Sequence, residues 1–274
     1  MLATQHIRLG DAQLIAAGGM QCMSRAPYLA PDVRFGQRMG PGRLLDAMII
    51  DGLWDPYNDF HMGSAGERCA RERGISRADQ DAFACRSHAR AARAIVTGRM
   101  AKEIAPVAIP QRKGDPKIVD RDEHPRETSL EALAKLRPFV RADGTITAGN
   151  SSGVNDGACA LLVASEAAVK AHGLTPIARV MGAAVAGIAP RIMGMGPAPA
   201  SQKLMARLGL KIDAFDVIEL NEAFAAQALA VLRDLGLSDD AEHVNPNGGA
   251  IALGHPLGMA GARLALTAAV ELRE

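Results

Sequence analysis

An α/β layered fold with a mixed sheet is what this sequence predicts, and three features carry the prediction. Short apolar runs closed by glycine alternate with helical patterns along the chain, as strands and helices do in layered folds. The 274 residues are 48% hydrophobic, enough to bury a sizeable core, and by length they hold one large or two ordinary domains. No short-period repeat is present, which argues against a solenoid.

Taken in order, the opening MLATQHIRLG reads as the end of a helix running into a buried strand, AQLIAAGG (residues 12–19). Residues 24–43 turn irregular, with Pro27, Pro31, Pro41 and several glycines. The clearest helix is SRADQDAFACRSHARAARAIVTG, with Ser76 as its cap, Asp79 three residues on, and Gly98 as its stop. Residues 112–126, RKGDPKIVDRDEHPR, are dense in charge, carry two prolines and read as a solvated loop. The alternation then continues through a strand CALLVAS (159–165), a helix SEAAVKAHG and a strand RVMGAAVAGI (179–188). A helix after GPAPAS, a strand DVIEL (216–220) and a helix EAFAAQALAVLRDLG (222–236) complete it.

Charge and cysteine usage exclude several functions. Thirty-one Lys plus Arg against thirty Asp plus Glu give a formal charge of +1, so no overall field favours nucleic acid or an anionic membrane. Aromatics are 3% of the residues, too few for a base-stacking platform. Cys22, Cys69, Cys85 and Cys159 form no CxxC pair and no cysteine–histidine ligand spacing, which argues against a metal site. With no signal peptide and no run of eighteen apolar residues, the chain reads as cytoplasmic.

Chemistry concentrates in three stretches. In NPNGGAIALGHPLGMAGAR (245–263) the two glycines of a P-loop recur, but His255 and Pro256 stand where Lys and Ser or Thr would bind phosphate. GMGPAP at Gly194 begins like a dinucleotide fingerprint and fails at Pro199. The glycines instead let backbone pass close to a ligand and set His255 on a tight turn, with Pro256 opening the next helix. An imidazole there can donate to an oxyanion or take a proton from a thiol; the bland alternative is a structural turn histidine. In DVIELNEAFAAQA, Asn221 and Glu222 follow an apolar strand and precede a helix, where α/β proteins place sites; a helix cap is the alternative for Asn221. In GLWDPYNDFHMG, His61 and Met62 emerge from a loop after an aromatic cluster, with core packing as the alternative for Met62 and Trp54.

These stretches, with GGMQCMSRAP, KLRPF, TAGNSSGVNDGA and GMGPAPA, run in order over nearly the whole chain and resemble the thiolases, the acyl-CoA acetyltransferases. The resemblance implies a five-layered fold of two βαβαβαββ halves, with a loop domain inserted in the first. On this chain the halves would be residues 1–168 and 169–274, both incomplete, with the insertion at about 26–155. By the same resemblance His255 activates a nucleophilic cysteine and, with a water held by Asn221, lines an oxyanion hole. His61 and Met62 would lie beside the pantetheine and acyl group, and Leu53, Met193 and Phe224 would wall the same tunnel. Arg137 would face the nucleotide end of coenzyme A, and Ala148 and Ser152 would contact the pantetheine arm. Coenzyme A enters as substrate, no other cofactor is implied, and self-association into a dimer or tetramer is.

One departure is large. Thiolases carry their nucleophilic cysteine in a CGSG-like turn before the helix in which residue 1 falls, and their acid–base cysteine in a CIGGG-like turn after the helix that reaches Glu274. The chain is therefore expected to lack both, to lack opening strands and a closing hairpin, and to be inactive alone. The alternative is a non-catalytic coenzyme A-binding or dimerising pseudoenzyme. Gln21 and Cys22 stand where the family has Glu-Ser, and Cys22 lies past the end of a different strand from the nucleophile.

Overall fold

A computed structural model describes all 274 residues. Helix α1 (Leu2–Leu9) ends at Gly10 and leads into β1 (Leu14–Cys22). A long excursion follows, with the hairpins β2 (Tyr28–Leu29) with β3 (Leu45–Asp46) and β4 (Trp54–Asp55) with β5 (Phe60–His61). Helices α2 (Met62–Glu72) and α3 (Arg77–Val96) come next, then the hairpin β6 (Val107–Ile109) with β7 (Lys117–Val119) and the short α4 (Leu130–Ala134). Strand β8 (Asp156–Ala164) returns to pair with β1, and α5 (Glu166–Ala171) and α6 (Pro197–Leu208) follow. The chain finishes with α7 (Ala225–Asp234), the single turn α8 (Ala250–Leu253) and α9 (Leu257–Glu271). No helix is long and apolar enough to cross a membrane.

The elements form for local reasons that the sequence shows. Ser76 caps α3 by accepting from the Asp79 amide, and the Asp79 carboxylate accepts from the Ser76 amide in return, so both orphan donors are satisfied. Every residue of α7 from Ala225 to Leu232 is buried, and all of them but Gln227 are apolar, because other elements surround that stretch. Its Leu229, Val231 and Leu232 pack with Phe83 and Ala84 of α3, Cys69 of α2, Ala198 of α6 and Ile251 of α8.

β1 and β8 form a nine-residue antiparallel ribbon from Leu14↔Ala164 to Cys22↔Asp156. Helix α9 covers one of its faces. The approach is close enough that a Cβ at Gly19 would collide with the Gly258 carbonyl, and one at Gly157 would come 2.6 Å from the Pro256 ring. The other face leaves Leu14, Met20 and Leu162 exposed.

Three sequence expectations need correction. The apolar run 179–188 forms no strand: its carbonyls are taken by side chains instead, Val180 and Met181 by Arg8, Ala183 by Arg207 and Val185 by Lys203. DVIEL makes a single bridge, Ile218 to Val244, in a parallel sense. A strand exists only through its partner's hydrogen bonds, and neither segment has a partner ladder here. Residues 112–126 are not all solvated loop, since β7 lies within them and His124 and Pro125 are half-buried.

His88 on α3 is buried with no hydrogen-bond partner on either ring nitrogen. Burial, reinforced by Arg126 and His124, holds its pKa down to about 4, against 6.5 for the free side chain. The folded chain therefore binds fewer protons than the unfolded one in that window, so stability present above 6.5 is lost as pH falls towards 4. His88→Leu should remove this penalty: the variant should gain on the parent by roughly 3 kcal/mol between pH 7 and pH 4, read from urea midpoints.

Candidate functional site

The site assembles around Glu222, which lies fully buried just after the Ile218 bridge. Its carboxylate accepts from Ser87 Oγ at 2.7 Å, Asn245 Nδ2 at 2.8 Å and the Ile251 amide at 3.1 Å. Desolvation raises its pKa even though these donors favour the charged form. Ser87 Oγ also accepts from the Gly249 amide. Asn245, at a φ of 45°, uses its side chain to pair with both the amide and the carbonyl of Leu220. One carboxylate thus ties α3, the 218–222 segment and the glycine turn into a unit.

On that frame stand Asn221 and His255. Asn221 Nδ2 is 3.4 Å from His255 Nε2. The Asn221 Oδ1 and the His255 Nδ1 are buried without a partner. Gly254, at φ 96°, turns the chain out of α8 so that His255 faces this point, a conformation that an L side chain rarely adopts. Burial, and then the Arg263 guanidinium, hold the His255 pKa below its ordinary value, so the ring is neutral at pH 7. Nearby Glu219 has both oxygens buried without a hydrogen bond, and Arg263 reaches it only at 3.8 Å. Burial outweighs that cation and pushes the Glu219 carboxyl up to about 8.

Of the other sequence candidates, Ser152 and Phe224 adjoin the Asn221 segment and the rest lie on neighbouring elements. Ser152 donates its amide (3.0 Å) and its hydroxyl (3.2 Å) to the Ala223 carbonyl, and Ser151 bridges Phe224, so the 148–152 turn is fastened beside Asn221. Ala148 is exposed on that turn. Phe224, half-buried at the start of α7, packs on Gly66 of α2, whose Cβ would lie 3.1 Å from the ring. His61 caps α2 by accepting from the Gly63 amide at 3.0 Å and meets Phe139 edge-on at 6.3 Å; Met62 begins the helix. His61 closes β5 and Met62 opens α2, so both stand where the chain leaves the 56–59 turn. Leu53 is half-buried at the end of the turn 48–53, which abuts Leu257 at the start of α9. Arg137 is exposed after α4 and makes no hydrogen bond or ion pair, and Met193 is exposed in the turn before α6. Neither contacts His255 or Asn221 through a hydrogen bond.

Sequence reasoning named Glu222 without a role and missed Ser87, Asn245, Asn155 and His124. Asn155 accepts the His255 amide through Oδ1 at 3.2 Å, and His124 accompanies it. No group of three or more His, Cys, Asp or Glu side chains is arranged to hold a metal ion.

None of the four cysteines hydrogen-bonds within this site. Cys69 faces Met195 and the Ala226 carbonyl, and burial pushes its thiol up to about 11. Cys22 lies beside Asp156 at the end of β1; Cys85 is on α3 and Cys159 on β8.

Comparison with known proteins matches residues 1–167 to the model of the thiolase N-terminal domain and residues 174–274 to that of the thiolase C-terminal domain. An acetyl-CoA acetyltransferase of Pseudomonas aeruginosa is 52% identical over 272 residues, which cover 99% of this chain and 69% of that protein. A beta-ketoadipyl-CoA thiolase of the same organism is 55% identical over 277 residues, with the same coverage. The crystal structure of the Bacillus anthracis acetyl-CoA acetyltransferase superposes with a TM-score of 0.94 at 42% identity, over 100% of this chain and 68% of that one. Human mitochondrial 3-ketoacyl-CoA thiolase gives the same score and identity over 99% and 68%.

Removing the Asn245 side chain would leave both Leu220 backbone groups and one Glu222 oxygen buried without their partner. Asn245→Gly tolerates the left-handed backbone, so it isolates that loss, and should cost about 2–4 kcal/mol in urea unfolding.

Proposed function

The chain belongs to the thiolase family, and from that premise we propose that its His255 site serves acyl transfer between coenzyme A thioesters. The observation that carries the reading is the pair of side-chain nitrogens on Asn221 and His255, 3.4 Å apart on a turn that Glu222 fixes from behind. An oxygen placed between them would accept from both, as a thioester carbonyl does when charge develops on it. The Asn221 Oδ1 keeps a free acceptor for the water expected there. A neutral imidazole can also take the proton of a thiol. The thiolate then attacks the thioester carbon, and as the carbon–sulfur bond to coenzyme A breaks the departing sulfur takes the proton back from the imidazolium, which returns to neutral. The resulting acyl-enzyme is consumed by coenzyme A in thiolysis or by the carbanion of a second thioester in condensation.

The remaining site residues belong to the same proposal. His61, Met62 and Phe224 would flank the acyl group and pantetheine, with Leu53 and Met193 as further wall. Ala148 and Ser152 would meet the pantetheine arm, and the unpaired Arg137 the nucleotide end. The substrate class proposed is a 3-ketoacyl-CoA; the relatives' names divide between acetyl and ketoadipyl chains, and no chain length is assigned. Two halves meeting near residue 168, with an insertion at about 26–155, complete the proposed organisation. A cytoplasmic setting accords with four free cysteines, and self-association into a dimer or tetramer belongs to the same proposal through the family alone.

Because no cysteine stands beside His255, the 274 residues are proposed to be inactive by themselves. That same observation favours the second reading, a pseudoenzyme that binds coenzyme A without turning it over. The chain spans 69% of the length of the curated relatives it matches, so a chimera in which the Pseudomonas aeruginosa acetyltransferase supplies the remainder tests both readings. With acetoacetyl-CoA and coenzyme A, the 274-residue chain should show no turnover and the chimera should be active. In the chimera, His255→Ala should lower kcat by at least about 10²–10³, the loss typical of one oxyanion donor, while His172→Ala on an exposed helix end should be silent. A folded chimera that binds coenzyme A without turnover would favour the pseudoenzyme; equal kcat for the two variants would reduce His255 to a turn residue.

A further inference from the structure

Helix α8 ends in an unusual way. The Gly254 amide donates to the Ala250 carbonyl, and the next helical bond would join the His255 amide to the Ile251 carbonyl. Gly254 turns the chain aside and that bond is not made. Its two halves are instead satisfied from outside the helix. The His255 amide donates to Asn155 Oδ1 at 3.2 Å, Asn155 Nδ2 lies 3.3 Å from His124 Nδ1, and His124 Nε2 lies 3.1 Å from the Ile251 carbonyl.

The ends of this chain fix its polarity. A backbone amide can only donate, so Asn155 must present its oxygen to His255 and its NH2 to His124. A backbone carbonyl can only accept, so His124 must carry its proton on Nε2 and accept on Nδ1. Both demands agree on one tautomer of a neutral ring; the Arg126 guanidinium, 3.4 Å from the same Nε2, then acts on the ring as a nearby charge and not as a hydrogen-bond donor to it. We propose that His124 is a positioning residue for His255, completing through Asn155 the hydrogen bond that α8 gives up when it turns the catalytic imidazole towards Asn221. The inference rests on the acyl-transfer reading only in calling His255 catalytic.

A consequence is a built-in sensitivity to acid. Protonated His124 would point an Nδ1–H at the Asn155 NH2, so Asn155 would have to rotate, and its oxygen would leave the His255 amide. The groups that bear on this titration are Arg126, with Nη1 at 3.4 Å from Nε2, and Asp122 on the same segment, and His88 on α3; α8 and the 153–155 turn present only uncharged groups. From α9, Arg263 bears on Asp122, and His255 itself is reached through Asn155. Burial and Arg126 hold the His124 pKa below its ordinary value, against a smaller opposing pull from Ile251 and Asp122, so the ring is neutral at pH 7. Space is tight as well: a Cβ on Gly153 would overlap the His124 ring.

Hydrogen exchange read by mass spectrometry tests the proposal without turnover or ligand. Exchange at the imidazole C2 position gives the pKa of His124, and amide exchange of the peptide spanning residues 252–258, corrected for intrinsic rate, reports the His255 amide. In the parent chain that amide should exchange about tenfold faster or more once pH falls through the His124 pKa, as expected for the loss of one hydrogen bond. His124→Phe should exchange fast at every pH. His124→Gln can offer an acceptor to Asn155 and a donor to Ile251 but cannot titrate, so it should restore protection and abolish the pH dependence. Peptides of α3 should keep their protection in all three proteins, which shows that each is folded. Protection at 252–258 that ignores the His124 titration, or that survives His124→Phe, would overturn the proposal and leave the acyl-transfer reading untouched. Inactivity of the chimera, conversely, would leave this exchange result standing.

Discussion

Everything at the site hangs on one buried carboxylate. Glu222 is out of contact with solvent, and an ionised carboxyl in that position is costly unless donors converge on it. Here the donors come from α3, from the turn at Asn245 and from the first turn of α8, elements far apart in sequence. Meeting the demand of one side chain therefore dictates where three pieces of backbone go. Arginines on α3 reinforce the same arrangement: Arg90 and Arg93 donate to carbonyls of Val244 and Pro246 on either side of Asn245.

The placement of His255 adds a second constraint of a different kind. Helix α9 reaches the β1–β8 ribbon through glycine on both sides, Gly19 against Gly258, and through Gly157 against Pro256. Side chains at those positions would lift the start of α9 off the ribbon and carry the 254–256 turn with it. The glycines that look in sequence like a loop for wrapping phosphate make room for side chains instead, Gly249 for Glu222 and Gly254 for Asn155, and Gly254 at φ 96° also supplies the turn that directs the imidazole.

What could be read from the sequence was what short-range physics decides. The Ser76 and Asp79 cap, the β1 and β8 runs and the helix after Pro256 are set by neighbours a few residues away, and each forms where expected. Helix α2 was missed because Gly63 and Gly66 weaken any helical pattern there. They are required by contacts that no local pattern reveals, since a Cβ at Gly63 would come 2.7 Å from Val140 and one at Gly66 3.1 Å from Phe224. The run 179–188 failed for the opposite reason: its composition suits a strand, but strand identity is settled by a partner, and arginine and lysine side chains took its carbonyls instead. Of the site, His255 and Asn221 were legible because glycine and a strand-to-helix junction mark them. Asn155 and His124 were not, because each acts on a backbone group more than ninety residues away.

The stretch Glu219-Leu220-Asn221-Glu222 sets fully paired and unpaired polar groups side by side. Glu222 has both oxygens hydrogen-bonded and Leu220 both backbone groups paired with Asn245. Glu219 and Asn221, its neighbours in the same four residues, each bury an oxygen that no protein donor meets, and His255 Nδ1 and the Arg263 guanidinium are in the same condition. Buried polar atoms are normally paired, so a cluster of unpaired ones beside a fully paired frame needs an explanation. Core packing does not supply one, because an apolar side chain at any of these positions would remove the cost. These atoms keep a hydrogen-bonding capacity that no other side chain of this chain uses. Burial pushes Glu219 up to about 8 and holds His255 below its usual value, opposite directions with one cause, because loss of solvent penalises whichever form of each group carries the charge.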